Sequence, residues 1–168
     1  MATTVISVED YLRTTSEPDH EFVHGVLKER AEPEWDHAAW QSALVGWFRD
    51  HQHEWGIFAL PELRIQVETG HYRIPDVAIV SRQAPREAYL THAPLAVFEI
   101  LSPGDPMPDL FEKLAAYEAM GIQAIWVIDP TKPVHRRYVQ GKLTEASVFE
   151  LPGTDFSVPI SEIANLVE

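Results

Sequence analysis

The sequence predicts an α/β fold, a mixed β-sheet with helices on its faces, and three observations carry that expectation. Residues 95–101 and 124–129 are apolar runs of strand length on either side of a helical stretch, 109–120. They read as strand, helix, strand, a right-handed crossover between neighbouring strands. In 37–54, Trp40, Leu44, Trp47 and Phe48 recur at i, i+4, i+7 and i+8, a single apolar stripe able to cover a sheet. Short strand-like runs fill the space between, at 57–60, 63–67 and 76–80.

Taken in order, Ser7-Val8-Glu9-Asp10 is a capping signal that opens a short helix through Arg13. Residues 21–28 read as a hairpin turning at His24-Gly25, where glycine supplies a positive φ. Asp36 is a candidate N-cap for the helix at 37–54. The loop 102–108 holds three prolines and a glycine and excludes regular structure. Pro108 suits the first helical position, Asp109 suits the positive end of the helix dipole, and Gly121 suits the left-handed stop. Pro130 ends the strand at 124–129. A hairpin of 134–139 and 143–151 around Gln140-Gly141 closes the sheet, and a short helix is expected at 159–167. One domain over residues 1–168 is the expectation at this length.

Composition narrows the function classes. With 168 residues and 45% hydrophobic side chains the chain can bury a substantial core. The absence of cysteine excludes a disulfide framework and thiolate metal sites. No apolar run approaches the ~20 residues needed to span a bilayer, and the N-terminus lacks the basic and apolar regions of a signal peptide. A cytoplasmic protein is therefore expected. The net charge of −13 argues against tight binding to phosphates. Its distribution softens that objection: residues 1–36 carry nine acids and three bases, and 144–168 five acids and no base. The middle of the chain is nearly balanced, so a local basic surface remains compatible with the total.

The chemistry-bearing residues lie in that middle. Asp76 precedes the strand-like Val77-Ala78-Ile79-Val80, and Glu99 interrupts Val97-Phe98-Glu99-Ile100-Leu101. An ionised group among core strands is costly unless a cation, a metal or a proton compensates it. A divalent ion is one compensator, and an oxygen-only set completed by water suits magnesium or manganese. The carbonyl of Ile100 is a candidate third ligand. Lys113, on the helix that leaves the Glu99 strand, can reach toward such a site. Taken singly, each has another reading. Asp76 can be a turn or cap acid after Pro75, and Lys113 can pair with Asp109 at i,i+4 for only ~0.3–0.5 kcal/mol. Among further candidates, Glu21 is an additional carboxylate or a solvated edge charge, and His37 a site residue or a helix-start polar group. Ser102 is a turn-holding hydroxyl, and Tyr117 a brace for Lys113 or a core aromatic. His51 and His53 read as exposed.

Several segments occur together in order: Arg73-x-Pro75-Asp76-Val77, Phe98-Glu99-Ile100-Leu101-Ser102-Pro103, Lys113 with Tyr117, Gly121-Ile122, and Trp126-Val127-Ile128-Asp129-Pro130. With Glu21-Phe22-Val23-His24-Gly25-Val26-Leu27, they make the chain resemble the Uma-type family of putative restriction endonucleases, a branch of the PD-(D/E)XK nuclease superfamily. The resemblance covers about residues 8–158. It implies a restriction-endonuclease-like core with a magnesium-dependent site for DNA phosphodiester hydrolysis. On that reading Asp76 and Glu99 bind the metal, while Lys113 orients the attacking water and offsets charge on the phosphate. In the simplest superfamily pattern the lysine lies two residues after the glutamate, a position held here by Leu101. The resemblance therefore implies a lysine displaced onto the following helix. Cutting both strands of a duplex would favour a homodimer with two sites. The rival expectation is a non-catalytic protein of the same fold, acting as a dimeric binding or regulatory module.

Overall fold

The protein was analysed as a computed structural model that describes residues 5–15, 19–132 and 134–168. Helix α1 (Val8–Arg13) is followed by the hairpin β1 (His20–Val23) and β2 (Val26–Glu29), then by α2 (Trp35–Asp50). Next come β3 (Ile57–Pro61), β4 (Ile65–Glu68), β5 (His71–Arg73), β6 (Val77–Ser81) and β7 (Ala96–Ile100). Helix α3 (Met107–Met120) crosses to β8 (Ala124–Ile128), and β9 (His135–Val139) and β10 (Lys142–Ala146) form a hairpin. β11 (Val148–Glu150), β12 (Ser157–Pro159) and α4 (Ile160–Ala164) end the chain.

The main sheet has six strands in the order β10-β9-β8-β7-β6-β3. Its central pair, β7 and β8, is parallel and joined by α3, while the flanking pairs are antiparallel. Mixed sheet, flanking helices and crossover all match the sequence reading. Because β7 and β8 are buried along their whole length, they read as apolar runs, broken in β7 by Glu99, rather than as alternating ones. Side chains of alternate parity feed two cores. Phe98, Ile100, Trp126 and Ile128 pack with Leu44 and Phe48 of α2 and with Ile160 and Ile163 of α4. Val97, Ile125 and Val127 pack with Leu110, Leu114 and Tyr117 of α3. Glu99 shares the parity of Val97, so it projects toward α3.

A second, four-stranded sheet, β2-β1-β5-β4, stands beside the first. Its strand β5 is absent from the sequence reading, because three residues with two polar side chains, His71 and Arg73, look like loop until their buried partners are known. The expected long second arm of the C-terminal hairpin is divided. β10 stops at Ala146, and β11 pairs instead with β12 in a two-stranded sheet. Helix α2 begins two residues earlier than expected, with Glu34 at the N-cap in extended conformation, so Asp36 lies in its first turn and is not the cap. It also ends at Asp50, where His51 leaves helical geometry. Nor is His51 exposed: its ring stacks on Trp47 at 4.0 Å and on Trp55 at 4.8 Å. The Ser7 cap is present, with the Asp10 amide donating to Ser7 Oγ at 3.1 Å. Among the described residues no helix is long and apolar enough to cross a membrane.

Gly121 ends α3 at φ 102°, and a Cβ placed there would meet no atom within 4 Å. Replacement by alanine should therefore cost only backbone strain, about 1–2 kcal/mol. Urea unfolding of Gly121→Ala checks this figure; an unchanged midpoint would mean that the turn relaxes freely.

Candidate active site

A cleft of about 570 Å³ opens where the two sheets meet α3 and the start of α2, and it brings most of the sequence candidates together. Asp76 follows Ile74-Pro75, the link between β5 and β6, and its carboxylate is anchored on both oxygens. The Ile100 amide donates to Oδ2 at 2.6 Å, and Arg30 Nη2 donates to Oδ1 at 2.8 Å. His37 Nε2, from the first turn of α2, lies 3.3 Å from the same Oδ1. Burial alone would raise the Asp76 carboxyl, but the His37 hydrogen bond and the charges of Lys113 and Arg30 hold it below its ordinary value. Burial likewise opposes charge on His37, which Asp76 outweighs and shifts upward.

Glu99, 6% exposed, is gripped by one turn of α3. Lys113 Nζ donates to its Oε2 at 2.9 Å, and Tyr117 Oη donates to its Oε1 at 2.7 Å. Lysine and tyrosine four residues apart on a helix share a face, so both reach a single strand carboxylate. Burial pushes the Glu99 carboxyl up to about 7, Lys113 pulls it down, and the nearby Asp76 and Glu21 carboxylates add to the rise. Lys113 does not pair with Asp109. Its ammonium also donates to the Ile74 carbonyl at 2.9 Å and lies 2.8 Å from Glu21 Oε1. Burial disfavours that charge, but Glu21, Glu99 and Asp76 more than restore it and raise the lysine above its ordinary value.

Glu21 is therefore not an edge charge. Buried on β1, it accepts from the Ile74 amide at 2.9 Å and from Arg73 Nη1 at 3.0 Å. Arg73, 1% exposed on β5, also donates to Glu112 Oε1 of α3 at 3.0 Å. Burial would lift the Glu21 carboxyl, yet Lys113 and Arg73 hold it below its ordinary value. The turn after Glu99 is closed by the Ser102 main-chain amide, which donates to Asp105 Oδ2 at 2.8 Å, rather than by the Ser102 hydroxyl foreseen from the sequence. Leu101, at the simplest lysine position, packs against the α3-side core.

Arg30 and Arg73 were missed as site residues by sequence reasoning. Arg73 carried a signal, an arginine in an otherwise buried run beside Pro75-Asp76, since a buried guanidinium requires acids. Arg30, within Glu29-Arg30-Ala31-Glu32, carried none. The donor set suits a hard divalent cation. Asp76 and Glu99 both line the cleft, and each carboxylate has about four lone-pair directions, more than the protein donors use. Arg30 is the group such a cation would compete with at Asp76.

A family model described as "Putative restriction endonuclease", Uma2, matches residues 8–160. The chain belongs to the Uma2 family. Among solved structures, a putative nuclease belonging to DUF820 from Anabaena variabilis ATCC 29413 superposes with a TM-score of 0.82 at 22% identity, covering 97% of this chain and 99% of that one. That likeness is one of fold. A chain of the DrdV–DNA complex gives a TM-score of 0.43 at 16% identity, over 77% of this chain and 11% of that one. No curated protein matches.

Arg73 should be more sensitive to substitution than Tyr117. Arg73→Met takes the guanidinium from the buried Glu21, which keeps Lys113 and the Ile74 amide, and from the half-exposed Glu112, and should lower unfolding free energy by about 3 kcal/mol. Tyr117→Phe, which removes one hydrogen bond to a buried carboxylate, should cost about 1–3 kcal/mol. Denaturant unfolding of the two variants side by side tests the order.

Proposed function

We propose that the protein is a divalent-metal-dependent nuclease that hydrolyses DNA phosphodiester bonds in this cleft. The observation that carries the reading is the convergence of Asp76, Glu99 and Lys113, with the ammonium reaching Glu99 at 2.9 Å from a helix instead of from position 101. Membership of a family described as putative restriction endonucleases supports it.

Asp76 and Glu99 would hold magnesium or manganese, with the Ile100 carbonyl as a further ligand. When bound, the cation supplies Lewis acidity toward the phosphate and makes water a better nucleophile at neutral pH. The chain's own residues do the rest. The Ile100 amide fixes the orientation of Asp76, and Tyr117 fixes that of Glu99. Lys113 orients the attacking water and offsets charge building on the phosphate. Glu21 keeps that ammonium in place and supplies an accessory carboxylate, and His37 supports Asp76. A homodimer, offering one cleft to each strand of a duplex, completes the proposal.

One observation favours the rival reading, a dimeric binding or regulatory module without catalysis. Among the described residues the cleft lining holds eight Asp and Glu against five Lys and Arg, so the protein's own charge does little to attract phosphate. Cleavage decides between the two. With magnesium or manganese the purified protein should cut DNA, and a chelator should stop it. Glu99→Ala and Lys113→Gln, checked for folding by circular dichroism, should each lower the rate by about 100-fold or more. If the wild type cuts neither double-stranded, single-stranded nor branched DNA, and Glu99→Ala is indistinguishable from it, the nuclease reading falls.

A further inference from the structure

Away from the cleft, three side chains of the smaller sheet converge at one point. His24 stands in the β1–β2 turn, Glu68 ends β4 and His71 starts β5, and one potential ligand atom from each lies within 4.8 Å of the others. Local backbone geometry contributes to this gathering. His24 has φ 50°, the left-handed conformation of the tight turn, and its ring centroid is 4.6 Å from that of His71. A register shift between Gln66 and Glu68 sets Glu68 directly opposite His71, and such irregularities re-aim side chains on a strand.

The hydrogen bond of an ordinary surface pair does not account for the arrangement. His71 Nδ1 lies 3.3 Å from Glu68 Oε1, which serves one ring nitrogen. The other, Nε2, is buried without a partner among the described residues, and His71 as a whole is 5% exposed. A buried imidazole nitrogen left unpaired costs free energy, and it stays in place where something else uses the ring.

We propose that His24, Glu68 and His71 form a binding site for a borderline divalent transition-metal ion of the zinc class, with water in the remaining position. Two imidazoles and a carboxylate suit zinc, cobalt or nickel, and they are a poor set for magnesium, which prefers oxygen. Ligands bound at about 2.0–2.2 Å must lie well inside 4.8 Å of one another, and His71 Nδ1 and Glu68 Oε1 are already 3.3 Å apart. Any further adjustment falls on the exposed partners, since Glu68 has 64% of its side chain exposed and His24 is exposed as well. The buried His71 supplies the fixed point. This site shares no ligand with the Asp76–Glu99 pair and does not depend on the nuclease reading. Its effect would be mechanical: His71 is two residues from Arg73 on the same strand, so an ion there would clamp the strands that carry Arg73 and Glu21.

The test uses the full chain with cobalt as a spectroscopic probe and zinc in isothermal titration, both in excess magnesium so that oxygen-only sites are filled. Saturable binding is expected, with a visible cobalt band and a rise in melting temperature. His24→Ala and Glu68→Gln alter exposed side chains, so the fold should persist in both, and each should weaken zinc binding by at least tenfold. The absence of saturable binding to the wild type overturns the proposal, as does an affinity unchanged in His24→Ala.

Discussion

The ammonium of Lys113 is the interaction on which the rest of this structure depends. It reaches Glu21 of the four-stranded sheet, Glu99 of the six-stranded sheet and the Ile74 carbonyl in the segment between them. One buried cation thus ties both sheets to α3. Without it Glu21, Asp76 and Glu99 would leave three buried carboxylates facing one another with too little positive charge. Arg73 repeats the device one layer out, spanning from Glu21 to Glu112 of α3. The contact between the sheets and α3 is therefore partly ionic, and its polar side is the wall of the cleft.

Much of the main sheet was legible in the sequence because its central strands obey one rule: strands buried on both faces are apolar apart from Glu99, and glycines and prolines punctuate the segments around them. Gly121 and Pro130 punctuate the crossover as their backbone preferences require. The smaller sheet was harder to see. β5 is a strand because β1 and β4 hydrogen-bond to it on either side, and its own three residues carry no periodic signal. Similarly, Glu34 stands at the helix boundary in extended conformation with no side-chain cap hydrogen bond, a start that capping preference does not encode.

The candidate site shows the same division. Glu99 announced itself, since a charge amid apolar strand residues needs a partner, and Lys113 and Tyr117 were identified as possible companions. What spacing could not supply was the closeness of Glu21, separated by 52 positions from Arg73 and even further from Lys113. Nor could it supply Arg30, whose role at Asp76 arises entirely from where the β1–β2 hairpin folds back. Surface arginines and buried ones look alike in a sequence of this composition. The −13 net charge likewise concealed a cleft in which each acid of the central cluster has a basic neighbour.

The position of Lys113 along the chain has a consequence for biosynthesis. The acids it neutralises are all made before it, and Glu21 emerges from the ribosome first among them. A nascent chain that has not yet extruded α3 holds the three acids without the cation that lets them be buried together, so the two sheets have reason to stay apart. The cleft is thus built to close only once α3 has appeared. Fragments ending before α3 would be left with mutually repelling acids and no assembled site, which delays whatever chemistry the cleft performs until α3 is made.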